Sequence, residues 1–142
     1  MPTDEQVRQA VTSYVEAWNV GVAARPAFMA LFTADARHED PVGSPPNLGR
    51  DAIGAFFDAI VSTSERMNLQ VRELYVTAGE AALVFRVMRQ LESGRVETLN
   101  GVDVFRIDDD GRIVSLKAYV NDDWTTGEAP LNDNLDSAQV IQ

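Results

Sequence analysis

Cysteine is absent from the 142 residues, so a disulfide framework, an iron–sulfur cluster and a thiolate zinc site are all excluded. Histidine occurs once, as His38, which argues against a multi-histidine metal centre; no metal or other cofactor is expected. Positive charge is scarce: 12 basic residues face 22 acidic ones for a net charge of −10, and Lys117 is the only lysine. The bases are scattered, so the footprint of a nucleic-acid binder is missing. No apolar run approaches the ~20 residues that span a bilayer, and no membrane insertion is expected. Met1-Pro2-Thr3-Asp4-Glu5 carries acid where a secretory signal would carry base, which points to a cytoplasmic protein. A single domain of this length buries about 68–70% of its unfolded surface and needs no staples.

What is present divides unevenly. Residues 121–142 hold five acids (Asp122, Asp123, Glu128, Asp133, Asp136) and no base, which is half of the net charge. Residues 1–124 are read as the folded domain, and 125–142 as an acidic, solvated tail whose start Trp124 could anchor. Helical patterns come first. Thr3 and Gln6 form a capping box, and Val7, Val11, Tyr14, Val15 and Trp18 make one apolar stripe that ends at Asn19-Val20-Gly21. Pro26 suits the first turn of a short helix bearing Phe28, Met29, Leu31 and Phe32. Ala36 to Asp40 reads as a short strand stopped by Pro41, and Asp51 opens a third helix with Ile53, Phe56, Phe57, Ile60 and Val61 on one face. The period then changes to two over 67–76, 81–91, 95–107 and 112–120, with a hairpin turn at Asp108-Asp109-Asp110-Gly111. Short connections predict an antiparallel meander with the helices on one face, an α+β class.

Three polar residues sit where apolar ones belong. Tyr14 interrupts the stripe of the first helix, and a buried hydroxyl without a partner costs on the order of 1–3 kcal/mol. Asp103 lies on a strand whose two faces are both largely apolar, Leu99, Gly101, Phe105 and Ile107 against Val96, Val102 and Val104. Burial would favour its neutral acid form, which donates a hydrogen bond. Asp40 precedes Pro41, so its backbone is extended and its carboxylate stands at a loop mouth. Each also has a bland reading: a core tyrosine, a strand aspartate paired with Arg86 or Arg89, an ordinary Asp-Pro turn.

These residues carry a resemblance. Glu39-Asp40-Pro41-Val42-Gly43-Ser44 resembles the base-bearing loop of the Δ5-3-ketosteroid isomerases (steroid Δ-isomerases). Val102-Asp103-Val104-Phe105-Arg106 with Gly111-Arg112-Ile113 is similar to the family's hairpin carrying an acidic oxyanion donor, and Tyr14 with Ala17 and Asn19 to its tyrosine segment. The similarity runs over about residues 4–122 and includes Leu31-Phe32 before Ala34-Asp35-Ala36, and Arg50 through Phe57, with two extra residues around Val22 to Arg25. It implies the cone-shaped α+β fold of the nuclear-transport-factor-two-like (SnoaL-like) superfamily: a curved, mainly antiparallel mixed sheet on three N-terminal helices. It also implies a homodimer.

The implied activity moves the double bond of a 3-oxo-Δ5-steroid into conjugation by intramolecular proton transfer through a dienolate. Asp40 would carry the proton, while Tyr14 and protonated Asp103 would donate to the enolate oxygen; this division of labour is the family's own and is not read from the chain. Strand parity proposes a pocket wall for an apolar steroid-like substrate: Leu99 and Phe105 beside Asp103, Leu83, Phe85 and Val87 on one neighbouring strand, and Leu116, Ala118 and Val120 on the other. Trp18 would close the end and Phe57 lie behind Tyr14. Phe57 and Phe32 lack hydroxyls found in the family, so no relay behind Tyr14 is expected, and Val120 replaces an aromatic. His38 shares Asp40's strand face, where a protonated ring could lower the Asp40 pKa or bind a substrate oxygen; the plainer reading is a neutral or solvated neighbour. The rivals are a polyketide cyclase or dehydratase on the same fold and a non-catalytic ligand-binding module.

Overall fold

Thr3 accepts the Gln6 amide proton and the Gln6 side chain accepts that of Thr3, a complete capping box that starts helix α1, Asp4–Val20. Gly21 ends it at φ 88°, a conformation that L side chains rarely adopt. In the computed structural model, which describes residues 1–120 together with the backbone of 125–127, a 3-10 turn (Val22–Ala24) then leads into α2, Arg25–Ala30. Strands β1 (Phe32–Glu39) and β2 (Asn47–Leu48) precede α3, Gly49–Ser62. The period-two half of the chain supplies β3 (Arg66–Thr77), β4 (Glu80–Gln90), β5 (Val96–Ile107), β6 (Ile113–Val120) and β7 (Thr125–Gly127).

The strands form one open sheet in the order β2-β1-β6-β5-β4-β3, with β7 alongside the start of β5. All neighbours are antiparallel except β1 and β6. Register breaks at Phe32–Arg37, Val71–Glu73 and Arg106–Ile107 let the sheet curve around the helices. One face of the sheet closes on α1 to α3 around a core that includes Phe28, Phe32, Phe57, Phe105, Leu83 and Leu116. Two polar contacts fix the helices. Arg25 grips Asp58 through Nε at 2.8 Å from both carboxylate oxygens, tying α2 to α3. The Asn19 amide pairs with both main-chain groups of Leu69, at 2.6 and 3.1 Å, and ties α1 to β3.

The fold is therefore the α+β class read from the sequence, with two local differences. Phe32 belongs to β1 and not to the second helix. Its i, i+4 spacing from Phe28 looks helical, but Ile113 donates to the Leu31 carbonyl at 2.7 Å and Phe32 pairs with Ile113, so the partner strand overrides the periodicity. β2, two residues in a proline-rich loop, is too short to leave a pattern. A second tight turn, Ala78-Gly79 between β3 and β4, holds Ala78 at φ 49° and Gly79 at φ 77°. This is the positive-φ pair that two-residue hairpins favour. The tail reading concerns residues that lie outside the described ones, as does Trp124; only the backbone of Thr125–Gly127 is described there, and it pairs with β5.

Candidate active site

The sheet brings the two aspartates into line. Glu39 is opposite Lys117, so the next residue, Asp40, stands level with Ala118; Ala118 in turn pairs with Asp103, and Asp103 with Leu83. The loop after Asp40 is held there because Val42 donates to the Ala118 carbonyl at 2.8 Å. With strands roughly 4.8 Å apart, the two aspartate backbones are separated by about 10 Å. Only the methyl group of buried Ala118 lies in the row between them. From above, Tyr14 on α1 sets its ring edge-on to Phe105, centroids 5.0 Å apart, and Phe105 shares a sheet face with Asp103. Three independent elements thus deliver a phenol and two carboxyls to one place.

That place is a cavity of about 300 Å³. Tyr14, Trp18, Asp40 and Asp103 form its polar part; Pro41, Phe56, Ile60, Met67, Leu69, Phe85, Val87, Leu99 and Val120 form an apolar wall. Its chemistry is set by burial. Asp103 is 3% exposed, and desolvation, reinforced by the charge of Asp40, holds its pKa well above the ordinary carboxylate value. The Tyr14 hydroxyl is likewise held well above its usual value by desolvation, then by Asp103 and Asp40, with the Trp18 indole pulling the other way. Asp40 is pushed only to about 6, again by desolvation. Asp40 is therefore the first of the three to lose its proton, and the other two keep theirs as donors. His38, fully buried, is pushed down to about 4 by desolvation and is neutral at pH 7.

The bland reading of Asp103 finds no support in the geometry. Arg89 is paired with Glu97 at 2.8 Å, and Arg86 occupies an even position of β4, on the face opposite Leu83 and Asp103. Of the wall proposed from strand parity, Phe85, Val87, Leu99 and Val120 face the cavity, as does Trp18. Phe57, Leu83, Phe105, Leu116 and Ala118 sit in the packed core outside the cavity lining. Parity identifies the face of a strand but not the stretch of that face which helices cover. Phe57 packs on Phe28 and Trp18 at 4.3 and 4.7 Å, filling the space behind Trp18. Phe56, Ile60, Met67 and Leu69 are lining residues that the sequence reading did not single out. The i, i+4 pair Phe56 and Ile60 was visible on the third helix, but nothing local distinguishes its outward turn from the core turn of Phe57. Among the described residues no cluster suited to a metal ion occurs, and no helix is long and apolar enough to cross a membrane.

Comparison with known proteins bears on the family and the fold. Residues 11–116 match the SnoaL-like domain family. A steroid Δ-isomerase of Nocardioides simplex is 32% identical over 123 residues, 87% of this chain and 93% of that protein. Among solved structures, the Δ5-3-ketosteroid isomerase of a Mycobacterium species superposes with a TM-score of 0.76 at 25% identity, covering 86% of this chain and 98% of that one. The Mycobacterium tuberculosis protein RV0760c superposes with a TM-score of 0.79 at 24% identity, covering 89% and 100%; at that identity it speaks for the fold alone.

Proposed function

The chain belongs to the SnoaL-like domain family, and from that footing we propose that it is a steroid Δ-isomerase converting a 3-oxo-Δ5-steroid to its conjugated Δ4 isomer. The observation that carries the reading is one apolar cavity in which three acidic groups are driven to different proton affinities, Asp40 below Asp103 and Tyr14. Groups separated in this way divide into a base and donors.

Moving the double bond requires that a proton leave the carbon between the ketone and the alkene and return two carbons further on. Asp40, with a pKa near 6, is mostly ionised at neutral pH yet basic enough to take that proton. As the C–H bond breaks, its electron pair delocalises towards the ketone and negative charge builds on oxygen. Tyr14 and neutral Asp103, both buried at the inner end of the cavity, donate hydrogen bonds to that oxygen and lower the barrier more than they would in solution. Protonated Asp40 then returns the same proton to carbon 6, so no cofactor enters the balance. The apolar wall binds the remaining rings by burial, which suits a flat hydrophobic substrate. The homodimer implied by the family resemblance belongs to this proposal, and sedimentation tests it.

The direct test is conjugated-enone absorbance after addition of a β,γ-unsaturated 3-ketosteroid. Rapid conversion, lost in Asp40→Asn, supports the reading. Absence of turnover with every such steroid, in folded protein, overturns it and shifts weight to another reaction of the family.

A further inference from the structure

His38 is a buried group to which the scheme above gives no task. It is completely shielded from solvent, on the second-last residue of β1, two positions before Asp40. Phe32 and Phe56 enclose its ring edge-on, with centroids 6.2 and 4.8 Å away. An imidazole in that setting is expensive unless both nitrogens have a use.

One nitrogen is accounted for. Asn47, directly opposite His38 in the β1–β2 pair, places its side-chain nitrogen 3.1 Å from Nδ1. An amide NH2 only donates, so Nδ1 accepts and the proton of the neutral ring sits on Nε2. Nε2 has no hydrogen-bond partner, yet it lies 4.0 Å from Oδ2 of Asp40. The opposite tautomer would set a lone pair against a carboxylate. A donor thus stands about 1 Å beyond hydrogen-bond range of the proposed base, and catalytic contacts of this kind commonly tighten only when substrate is bound.

We propose that His38 is the positioning residue of Asp40: a neutral imidazole, its tautomer chosen by Asn47, whose Nε2–H donates to the carboxylate and fixes the direction in which it faces the substrate. The chain Asn47–His38–Asp40 runs from the loop strand β2 to the cavity, and it explains why a polar ring occupies an otherwise apolar interior. The other ionisable groups facing Asp40 are Asp103 from β5 and Tyr14 from α1. Arg37, Glu39 and Lys117 alternate to the opposite face of β1 and β6, and Arg50 of α3 is turned to the Phe32 carbonyl. Among the described residues, then, no cation on this side of the sheet competes with His38 for the carboxylate.

The proposal rests on Asp40 as base, and its test separates the two ideas. Nitrogen-15 NMR of the native protein at pH 7 should report His38 protonated on Nε2, and carbon-13 NMR, with a conjugated Δ4-3-ketosteroid saturating the site, should follow the Asp40 carboxyl through its titration. A hydrogen bond to the charged form lowers a carboxyl pKa, so its loss raises it. In His38→Leu the Asp40 midpoint, and with it the acid limb of kcat, should move up by about one pH unit. There kcat should fall about tenfold with KM unchanged. His38→Gln, which keeps an N–H near the Nε2 position, should restore both. Asn47→Ala, which frees the tautomer, should raise the Asp40 midpoint by less; this variant decides the matter if His38→Leu does not fold. An unchanged Asp40 titration in these variants, or a native ring protonated on Nδ1, overturns the proposal. If instead the NMR results hold while Asp40→Asn retains full turnover, the link from His38 to Asp40 stands and the assignment of the base falls.

Discussion

Asp40 and Asp103 bring the same carboxyl group to the same cavity from opposite kinds of backbone. Asp40 follows the last residue of β1, where its side chain keeps 25% of its exposure and burial lifts its pKa only to about 6. Asp103 is in mid-sheet, flanked by Leu83 on one side and Ala118 on the other, 3% exposed, with a pKa held well above the ordinary range. Neither carboxyl has a cation beside it among the described residues. Depth in the sheet, rather than residue type, separates a proton acceptor from a proton donor. The comparison also fixes an order, because the charge on Asp40 itself makes Asp103 harder to ionise.

The largest test removes the strand-end carboxylate. Asp40→Asn should lower turnover of a 3-oxo-Δ5-steroid by up to about 10⁴-fold, since desolvation makes the remaining acids of the cavity, Asp103 and Tyr14, hold their protons and leaves no replacement base. Removing a donor should cost less. Asp103→Leu and Tyr14→Phe are each expected to lower kcat by about a hundred-fold and to leave the acid limb near pH 6 in place. If Asp103→Leu abolished that limb, the two carboxyls would have exchanged roles.

Stability sharpens the contrast. A carboxyl whose pKa is raised on folding contributes fully below its unfolded value and loses that contribution as pH rises to the folded one. For Asp40 the loss spans about pH 4 to 6. His38, lowered from 6.5 to about 4, behaves oppositely: its contribution is present above 6.5 and lost as pH falls towards 4. Over that window the two slopes oppose each other, and Asp103 is left uncompensated. Asp103→Asn should therefore match the native protein near pH 4. It should then gain about 1.4 kcal/mol per pH unit above it, until Asp103 itself ionises. Denaturant unfolding at pH 4 to 8 measures this; parallel curves would mean that Asp103 is wetter than the sheet implies. The smallest effect is a control in the β3–β4 hairpin, away from both carboxyls. Ala78→Asn should relieve the φ 49° conformation, stabilise by about 1 kcal/mol or less, and leave kcat and its pH profile unchanged.

Much of this architecture can be read before any coordinates. The stripe of α1, the capping box at Thr3, the four long strands and the Asp108–Gly111 turn all follow from local chemistry, because period and turn residues report on a few neighbours at a time. Asp103 was conspicuous for the same reason, an acid between two apolar faces. What stayed hidden depends on contacts between distant segments. Phe32 joins a strand because of Ile113, some eighty positions away, and Phe56 faces the cavity while its neighbour Phe57 faces the core. His38 has the parity of Asp40, but its partner Asn47 lies across a loop with three prolines.

The clasp between Asn19 and Leu69 has an outcome beyond anchoring α1. β3 is the long edge strand of the sheet, opposite the two-residue β2, and such a rim invites a foreign strand to add on and seed aggregates. At Leu69 the outward N–H and C=O are already taken by the amide, and two residues later the bulge at Val71–Glu73 breaks the regular spacing. One asparagine and one misregistered residue thereby deny an incoming chain any long, regular ladder to copy.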